Sequence, residues 1–380
     1  MTPEFEKHVS MVFAWLQARP VTPKSIVLDG PEAIAIASAT GMRSENQDRV
    51  ALVRVSNQAS IGANVQAAVL LDGIGGMADG ASAASLALAS FSIYLAFGDC
   101  ARGLKSLIME AAEFANDVVY QRYRARGGTT LTAVLFGRQG AVGLSVGDSR
   151  AYICSKAGLR QLSEDDTLSG HLGNASKKLD PWRFPDSIDN RLSQFVGMGE
   201  GIQPHLIALP AYDSAESEAT LLLMTDGAYF VGQQILEVLL RQKSDPSELA
   251  QRILTMAEWL GGNDNASIAV VPARPQFIEE RSDSSATRLS LSARGDTFAL
   301  VASGKIEWGK SNEHDQEGAP PSKQLEVTPR VREQTPYNAA KAKINYQPAT
   351  TRKKSHRKSG RTKQKQQNES LLLELVSDKK

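Results

Sequence analysis

Apolar residues recur between about 33 and 271 in two patterns, short aliphatic runs bounded by turn residues and longer stretches at helical spacing. The short runs are typical of buried strands, since aliphatic residues cover both faces of a strand inside a packed sheet. Stretches with an apolar residue every three or four positions present one apolar face and predict helices. The predicted strands are 33–40, 65–72, 129–137, 141–147, 151–154, 219–226 and 266–271, and the predicted helices are 78–97, 104–125, 233–242 and 246–260.

The predicted strands and helices come in separate groups along the chain. Two helices follow the first strands, more strands come next, and two further helices precede a last strand. Segregated helices and strands favour an α+β fold over an alternating α/β fold. A further amphipathic helix is predicted at the N-terminus, with its apolar face formed by Phe5, Val9, Val12, Phe13 and Leu16.

The composition changes near residue 275, where the apolar runs give way to Ser, Arg, Glu, Gln and Lys. From 309 to 370 the chain is polar with few aliphatic residues and buries too little apolar surface to order itself, so the sequence predicts a disordered C-terminal extension. The predicted organisation is an N-terminal helical extension at 1–25, a folded domain at 26–275, a polar linker at 276–350 with short strands at 297–308, and a basic tail at 351–380 with a short apolar end.

The formal net charge of +1 conceals a basic tail, because residues 351–380 hold ten Lys or Arg and only three Asp or Glu. Such a tail suits contact with nucleic acid or an acidic partner, and it equally suits a solvated extension. The two cysteines provide no disulfide framework, which favours a reducing, cytoplasmic environment. No run of about 20 apolar residues occurs, so no membrane span is expected.

Aspartates stand at the ends of the predicted strands. Asp72, Asp148, Asp226 and Asp264 each adjoin an apolar run and precede a small or turn-forming residue, and Asp48 comes just before a strand. A carboxylate beside a buried run is costly unless it is paired or metal-bound. Several converging carboxylates favour a hard divalent cation such as Mn²⁺ or Mg²⁺, which takes oxygen ligands. A lone Asp-Gly is usually only a turn, so this prediction depends on the joint pattern.

Six short motifs follow one another in a fixed order over about 33–271. They are Arg43 with Asp48; Asp72, Gly73, Gly75 and Gly76; Gly128, Thr129 and Thr130; Gly147, Asp148, Ser149 and Arg150; Thr225, Asp226 and Gly227; and Gly262, Asp264, Asn265 and Ser267. In this order they resemble the motifs of the protein phosphatase 2C (PPM) family. The residues 26–275 would then form a PPM-type phosphatase domain.

The resemblance implies a fold, an activity and a cofactor. The fold would be a central sandwich of two antiparallel β-sheets flanked by helix pairs, a four-layer αββα arrangement. The activity would be that of a metal-dependent protein serine/threonine phosphatase, which attacks a phosphoprotein with a water activated between two Mn²⁺ or Mg²⁺ ions. A third, weaker ion occurs in some members, and a cognate Ser/Thr kinase is a partner by analogy.

The resemblance also implies a role for each site residue. Arg43 would bind the substrate phosphate, which suits a bidentate guanidinium. Asp72 would bridge the two metal ions, so Arg43 and Asp72 are the predicted catalytic residues. The predicted metal ligands are Asp48, Asp72, the Gly73 carbonyl, Asp148, Asp226 and Asp264.

The sequence departs from the family pattern at two places. Ile74 stands where many eukaryotic members carry a His proposed as the leaving-group acid, so the chain resembles bacterial-type members, and the acid would be a metal-bound water. Gln47 replaces a frequent acidic residue. A pseudophosphatase or phosphoprotein-binding regulatory module on the same fold remains the alternative. The retained Asp72, Asp226 and Asp264 favour the enzyme, since a pure binder has no need of all three.

Overall fold

The structure is a computed structural model. It describes residues 2–18, 24–29, 34–57, 64–74, 79–98, 102–138, 140–167, 191–214, 218–242, 244–275 and 286–302. The motif glycines Gly75 and Gly76, the loop 168–190 and the tail 351–380 lie outside the described residues. The predicted disorder of the C-terminal extension therefore stays a prediction.

Within the described ranges the chain forms strands that pair side by side and helices that cover them. The strands are β1 Lys24–Asp29, β2 Ile34–Ala39, β3 Arg49–Asn57, β4 Val65–Leu71, β5 Leu131–Gly137, β6 Gly140–Val146, β7 Arg150–Ser155, β8 Gly158–Gln161, β9 His205–Ile207, β10 Thr220–Met224, β11 Ala266–Pro272, β12 Thr287–Ala293 and β13 Asp296–Ala302. The helices are α1 Pro3–Gln17, α2 Gly80–Phe97, α3 Leu104–Tyr123, α4 Asp226–Tyr229, α5 Gln233–Arg241 and α6 Pro246–Trp259.

The strands form two antiparallel sheets. One sheet has six strands in the order β1-β2-β11-β10-β7-β8, and the other has seven in the order β13-β12-β3-β4-β5-β6-β9. Side chains alternate between the two faces of each strand, so both faces must be covered when a strand is apolar throughout. In β4, Val69 and Leu71 pack towards the helices while Ala68 and Leu70 pack towards the six-stranded sheet.

The core accordingly has three layers of side chains. One layer fills the space between the sheets and includes Ile36, Leu52 and Leu223. A second lies between the seven-stranded sheet and α1, α2 and α3, and a third lies between the six-stranded sheet and the remaining helices. This arrangement confirms the predicted α+β sandwich with helices on both outer faces. Helix α1 adds a third helix to one outer layer, with the predicted residues Phe5, Val9, Val12 and Leu16 buried.

Helix α2 is apolar on every side because it lies inside the protein. Among the described helices it alone is long and apolar enough to cross a membrane by composition, yet 89% of that stretch is buried within the fold. Its small residues allow neighbouring elements to approach closely, and an all-round apolar helix is expected in a core. Helix α6 begins as predicted, with Asp245 accepting a hydrogen bond from the Glu248 N–H and with Pro246 in the first turn.

The seven-stranded sheet continues past the predicted domain boundary at 275. Strand β12 pairs with β3 over its whole length, and β13 pairs with β12 at the edge of the sheet. The strand at 296–302 overlaps the range 297–308, where short strands were expected, whereas β12 at 287–293 precedes that range. Strand β12 alternates the buried Leu289 and Leu291 with half-buried polar residues, so it gives a weaker signal than the central runs.

Candidate functional site

The five predicted aspartates lie at one edge of the sandwich. Asp48 precedes β3 and Asp72 follows β4 in the seven-stranded sheet, where Arg49 pairs with Leu71. Asp148 precedes β7, Asp226 follows β10 and Asp264 precedes β11 in the six-stranded sheet. The Thr225 hydroxyl donates a 3.0 Å hydrogen bond to Asp48 Oδ2 and so joins the two sheets at this edge.

The turn after β4 is held by the Gly-Thr-Thr motif. The Asp72 carbonyl accepts hydrogen bonds from the Thr129 hydroxyl (2.8 Å) and the Thr130 N–H (2.9 Å). The Asp72 N–H donates in return to Thr130 Oγ1 at 2.9 Å. The motif that begins at Asp72 and the Gly-Thr-Thr motif thus form one unit, in which both the N–H and the carbonyl of Asp72 are hydrogen-bonded.

Gly73 occupies a position with no room for a side chain. A Cβ atom there would come within 2.5 Å of the Gly80 carbonyl oxygen and 2.8 Å of the Gln47 carbonyl oxygen. Both neighbours are backbone atoms, so they cannot rotate away. The glycine is therefore required where the turns that carry Asp48 and Asp72 meet the beginning of α2.

We expect Gly73→Ala to lower the free energy of unfolding by about 1–3 kcal/mol, because overpacking forces the backbone to shift. Thermal unfolding of the metal-free protein measures the effect. The matched control is Gly140→Ala, since a Cβ at Gly140 meets nothing within 4 Å. Equal melting temperatures for the two variants would contradict the packing argument.

Asp48 is buried, with 2% of its surface exposed, and half of its carboxyl group lacks a partner. Among the described residues nothing donates a hydrogen bond to its Oδ1 atom. Burial raises the pKa of Asp48 to about 7, with the hydroxyls of Ser267 and Thr225 offsetting part of the rise and Asp226 adding to it. An orphaned buried carboxylate oxygen is costly, so it marks a place for a cation.

The other carboxyl groups of the cluster experience the same two effects. Burial, and then repulsion from Asp48, Asp226, Asp148 and Asp264, raises the pKa of Asp72 well above its usual range. Burial and Asp226 raise the pKa of Asp148 to about 6. Burial and Asp264 raise the pKa of Asp226, although its hydrogen bonds to the Gly227 N–H and to Asp72 work against the rise.

Arg43 forms an ion pair with Asp264. Its Nη2 atom lies 2.7 Å from Asp264 Oδ2, and its Nε–H donates to the Asn263 carbonyl at 3.2 Å. Both side chains are partly exposed, at 49% for Arg43 and 38% for Asp264. The predicted phosphate-binding residue and a predicted metal ligand therefore meet each other directly at the open side of the cluster.

The donor set fits a hard divalent cation. It consists entirely of oxygen atoms, and the repulsion among the carboxylates would be relieved by two positive charges. In the described part of the chain, no three His, Cys, Asp or Glu side chains already converge as a preformed metal centre. A Mg²⁺-type ion needs only one or two carboxylates with carbonyls and waters, so the arrangement agrees with such a site.

Arg49, Asp165 and Tyr229 also shape the site, although the sequence motifs do not include them. Arg49 is buried directly beside Asp48, and it donates to the Asp48 carbonyl at 2.7 Å. Arg150 donates to Asp165 from Nε and Nη2, and its guanidinium carbon lies 4.0 Å from the centre of the Tyr229 ring. The charged Arg49 at the start of an otherwise apolar strand was a signal for the first. Asp165 and Tyr229, the partners of Arg150, lie outside the motifs, and the sequence gave no signal for them.

Two further networks support the turn that carries Asp148. The Tyr229 hydroxyl donates to the Asp148 carbonyl at 3.2 Å. Asp166, which is 1% exposed, accepts from the Gly147 N–H at 2.8 Å and pairs with His205 at 2.7 Å. Asp166 thereby holds the end of the described segment 140–167 against the turn that carries Asp148 and against β9.

Comparison with known proteins finds serine/threonine phosphatases. No family model matches the chain. The chain is 33% identical over 148 residues to the serine/threonine phosphatase stp of Listeria welshimeri, covering 38% of this chain and 56% of that protein. It is 28% identical over 226 residues to the serine/threonine protein phosphatase PstP of Mycobacterium tuberculosis, covering 58% and 42%. The chain thus spans about half the length of the curated relatives it matches.

Solved structures of serine/threonine phosphatases have a similar fold. The Mycobacterium tuberculosis serine/threonine phosphatase PstP/Ppp is 25% identical with a TM-score of 0.51, covering 63% of this chain and 98% of that one. The catalytic domain of PstP in complex with two manganese ions is 23% identical with a TM-score of 0.50, covering 66% and 98%. At 23% identity that second likeness shows the fold alone.

Proposed function

We propose that this chain is a bacterial-like member of the protein phosphatase 2C (PPM) family and a metal-dependent protein serine/threonine phosphatase. The observation that carries the proposal is the set of five aspartates at one edge of the sandwich, where each of the other four raises the pKa of Asp72 and where Asp48 Oδ1 lacks a hydrogen-bond donor among the described residues. The relatives named above act on serine and threonine residues, and a solved relative holds two manganese ions.

We assign the residues as follows. Asp72 and the Gly73 carbonyl would hold both ions, Asp226 and Asp264 would hold one, and Asp48 would help to hold the other. Asp148, with Asp226, would hold a weaker third ion. When bound, Mn²⁺ or Mg²⁺ lowers the pKa of water and neutralises charge on the phosphate.

The chain's own residues orient and bind the substrate. Arg43 is partly exposed and can exchange its bond to Asp264 for a bidentate pair with a phosphate, because both are oxyanions. Thr129 and Thr130 keep Asp72 rigid, which preserves the geometry during the reaction. Ile74 has no proton to give, so water in the site supplies the proton to the departing Ser or Thr oxygen.

The test is release of phosphate from a phosphothreonine or phosphoserine peptide by the full chain, with and without Mn²⁺. We expect metal-dependent turnover that disappears with a chelator. A pseudophosphatase or phosphoprotein-binding module, the alternative, would bind the peptide in the presence of Mn²⁺ and release no phosphate. That outcome would contradict the proposed function.

The raised carboxyl pKa values predict how pH changes metal binding. In the metal-free folded protein the pKa is about 6 for Asp148 and about 7 for Asp48, above the value of about 4 in the unfolded chain. Protonation of these groups therefore stabilises the fold fully below about pH 4, and this contribution to the free energy of unfolding is lost as the pH rises through about 6 and 7. A cation requires the charged forms, so protons compete with it. We expect Mn²⁺ to raise the melting temperature more at about pH 8 than at about pH 5.5.

Differential scanning fluorimetry at the two pH values measures this dependence. Asp48→Asn removes one titrating ligand and should reduce the pH dependence. Asp296→Asn, a half-buried change on β13, is the matched control and should leave it unaltered. An increase of the same size at both pH values in the natural sequence would contradict the argument.

We further propose a cytoplasmic location and a cognate Ser/Thr kinase as partner. The scarcity of cysteine supports the first, and the proposed activity supports the second. Contact of the basic tail with nucleic acid or an acidic partner also remains a proposal, based on the excess of Lys and Arg at 351–380.

A further inference from the structure

Two large apolar side chains are exposed beside the candidate site. Among the described residues, the exposed large hydrophobic side chains include Met42 at 77% and Phe230 at 55%. Met42 directly precedes Arg43, and Phe230 directly follows α4, which begins at Asp226. Exposed apolar side chains next to a binding residue mark an interaction surface more often than those scattered singly.

Met42 contacts the turn Gly262–Asn265 directly, and Phe230 is linked to that turn through α4. The Met42 N–H donates to the Gly262 carbonyl at 2.7 Å, and Arg43 reaches Asn263 and Asp264 in the same turn. The Phe230 N–H donates to the Asp226 carbonyl at 2.9 Å. Gly227 packs so closely on the Asn265 carbonyl that a Cβ would overlap it. We call Met42 and Phe230 the apolar rim.

The backbone under the apolar rim is fixed, so the rim is preorganised. The hydrogen bonds at Met42 and Phe230 leave only side-chain rotamers to be ordered on binding. Preorganisation lowers the cost of binding, and a Met or Phe adapts to many apolar partners.

We propose that the apolar rim recognises apolar side chains next to the phosphorylated residue, so that the preferred substrates are phosphoserine or phosphothreonine segments with apolar neighbours. This inference rests on the proposed function, since it places the phosphate on Arg43. The neighbouring residues of an extended peptide lie about 3.5 Å further along per residue, within reach of side chains adjoining Arg43.

The experiment compares two phosphothreonine peptides that differ only at the residues flanking the phosphothreonine, Leu in one and Ser in the other. With the full chain and Mn²⁺, we expect kcat/KM to be about tenfold higher for the Leu peptide, because its Leu side chains would bury a modest apolar surface on the rim. In Met42→Ser and Phe230→Ser this preference should fall to about twofold or less. Trp259→Ser is the matched control, because Trp259 is 74% exposed on α6 and is not part of the rim.

Each outcome decides the question. A preference that falls in both rim variants and persists in Trp259→Ser supports the inference. An equal kcat/KM for the two peptides in the natural sequence overturns it and leaves the proposed function standing. An unchanged preference in both rim variants also overturns it. Release of phosphate from neither peptide overturns the proposed function, and the inference with it.

Discussion

Replacement of Asp72 by Asn is expected to reduce metal-dependent phosphate release by about 10³-fold or more, and to stabilise the metal-free protein. The first effect follows because Asp72 would hold both ions in the proposed site. The second follows because burial and four neighbouring aspartates all disfavour its charged form. Asn has nearly the same shape, and the backbone bonds to Thr129 and Thr130 remain.

Two measurements test the opposite effects of this one change. Phosphate release from a phosphothreonine peptide at saturating Mn²⁺ tests the first. Thermal unfolding in the presence of a chelator tests the second, and each kcal/mol of relieved repulsion should raise the melting temperature by about 2–4 °C in a domain of this size. Asp245→Asn serves as a control, since Asp245 only caps α6. Full activity, or a lower melting temperature without metal, would contradict the role assigned to Asp72.

Replacement of Arg49 by Met is expected to destabilise the fold by roughly 3 kcal/mol or more and to weaken Mn²⁺ binding. The buried guanidinium donates to Asn46 O (3.0 Å), Asp48 O (2.7 Å), Ala81 O (2.9 Å) and Ser85 Oγ (2.8 Å). It therefore connects the turn that carries Asp48 to the first turns of α2. Without it, three buried carbonyls lose a donor, and each unpaired group costs about 1–3 kcal/mol.

The effect on metal separates positioning from stability alone. Burial, and repulsion by Arg294, lower the pKa of Arg49 to about 9, so Arg49 still carries its charge at neutral pH. Loss of a residue that orients a ligand typically costs about 10–100-fold in metal affinity. Titration calorimetry with Mn²⁺ measures this. Val9→Ala, a core change in α1, is the control: it should lower the melting temperature without changing the affinity. If Arg49→Met keeps its Mn²⁺ affinity, Arg49 has no positioning role.

The proposed activity coexists with an electrostatic cost in the fold. Asp48 is buried and Asp72 is half-buried, and the raised pKa values of both record surroundings that disfavour a charged carboxyl group. A cluster of this kind is kept where a cation is to be bound, and stability is lost in exchange. The expected gain of stability in Asp72→Asn and the pH dependence of metal binding both follow from this cost.

The strands and helices of the central fold could be predicted from the sequence because their signals are local. The runs at 65–72 and 219–226 are mostly aliphatic, so they had to be covered on both faces. Strand β12 and the edge strand β13 were harder, since an alternation of apolar with polar residues over so few positions is weak. The short strands β8 and β9 carry too few residues to show a period.

The aspartates of the site could also be found in the sequence, as an ordered set of motifs at strand ends. Their electrostatic state could not, because it depends on residues far apart in the chain. Asp48 meets Thr225 across 177 positions, and Arg43 meets Asp264 across 221. A periodic pattern carries information about neighbours along the chain and none about such pairs.

The sequence by itself therefore determined which residues could form the site and which elements would carry them, because side-chain periodicity and motif order are properties of the chain. Only the tertiary structure decided that Asp48 keeps an orphaned oxygen, that Arg43 pairs with Asp264 and that Arg49 clamps the turn beside Asp48. The physical reason is that burial and proximity set these energies. Both arise only when the two sheets pack and bring their strand ends to one edge.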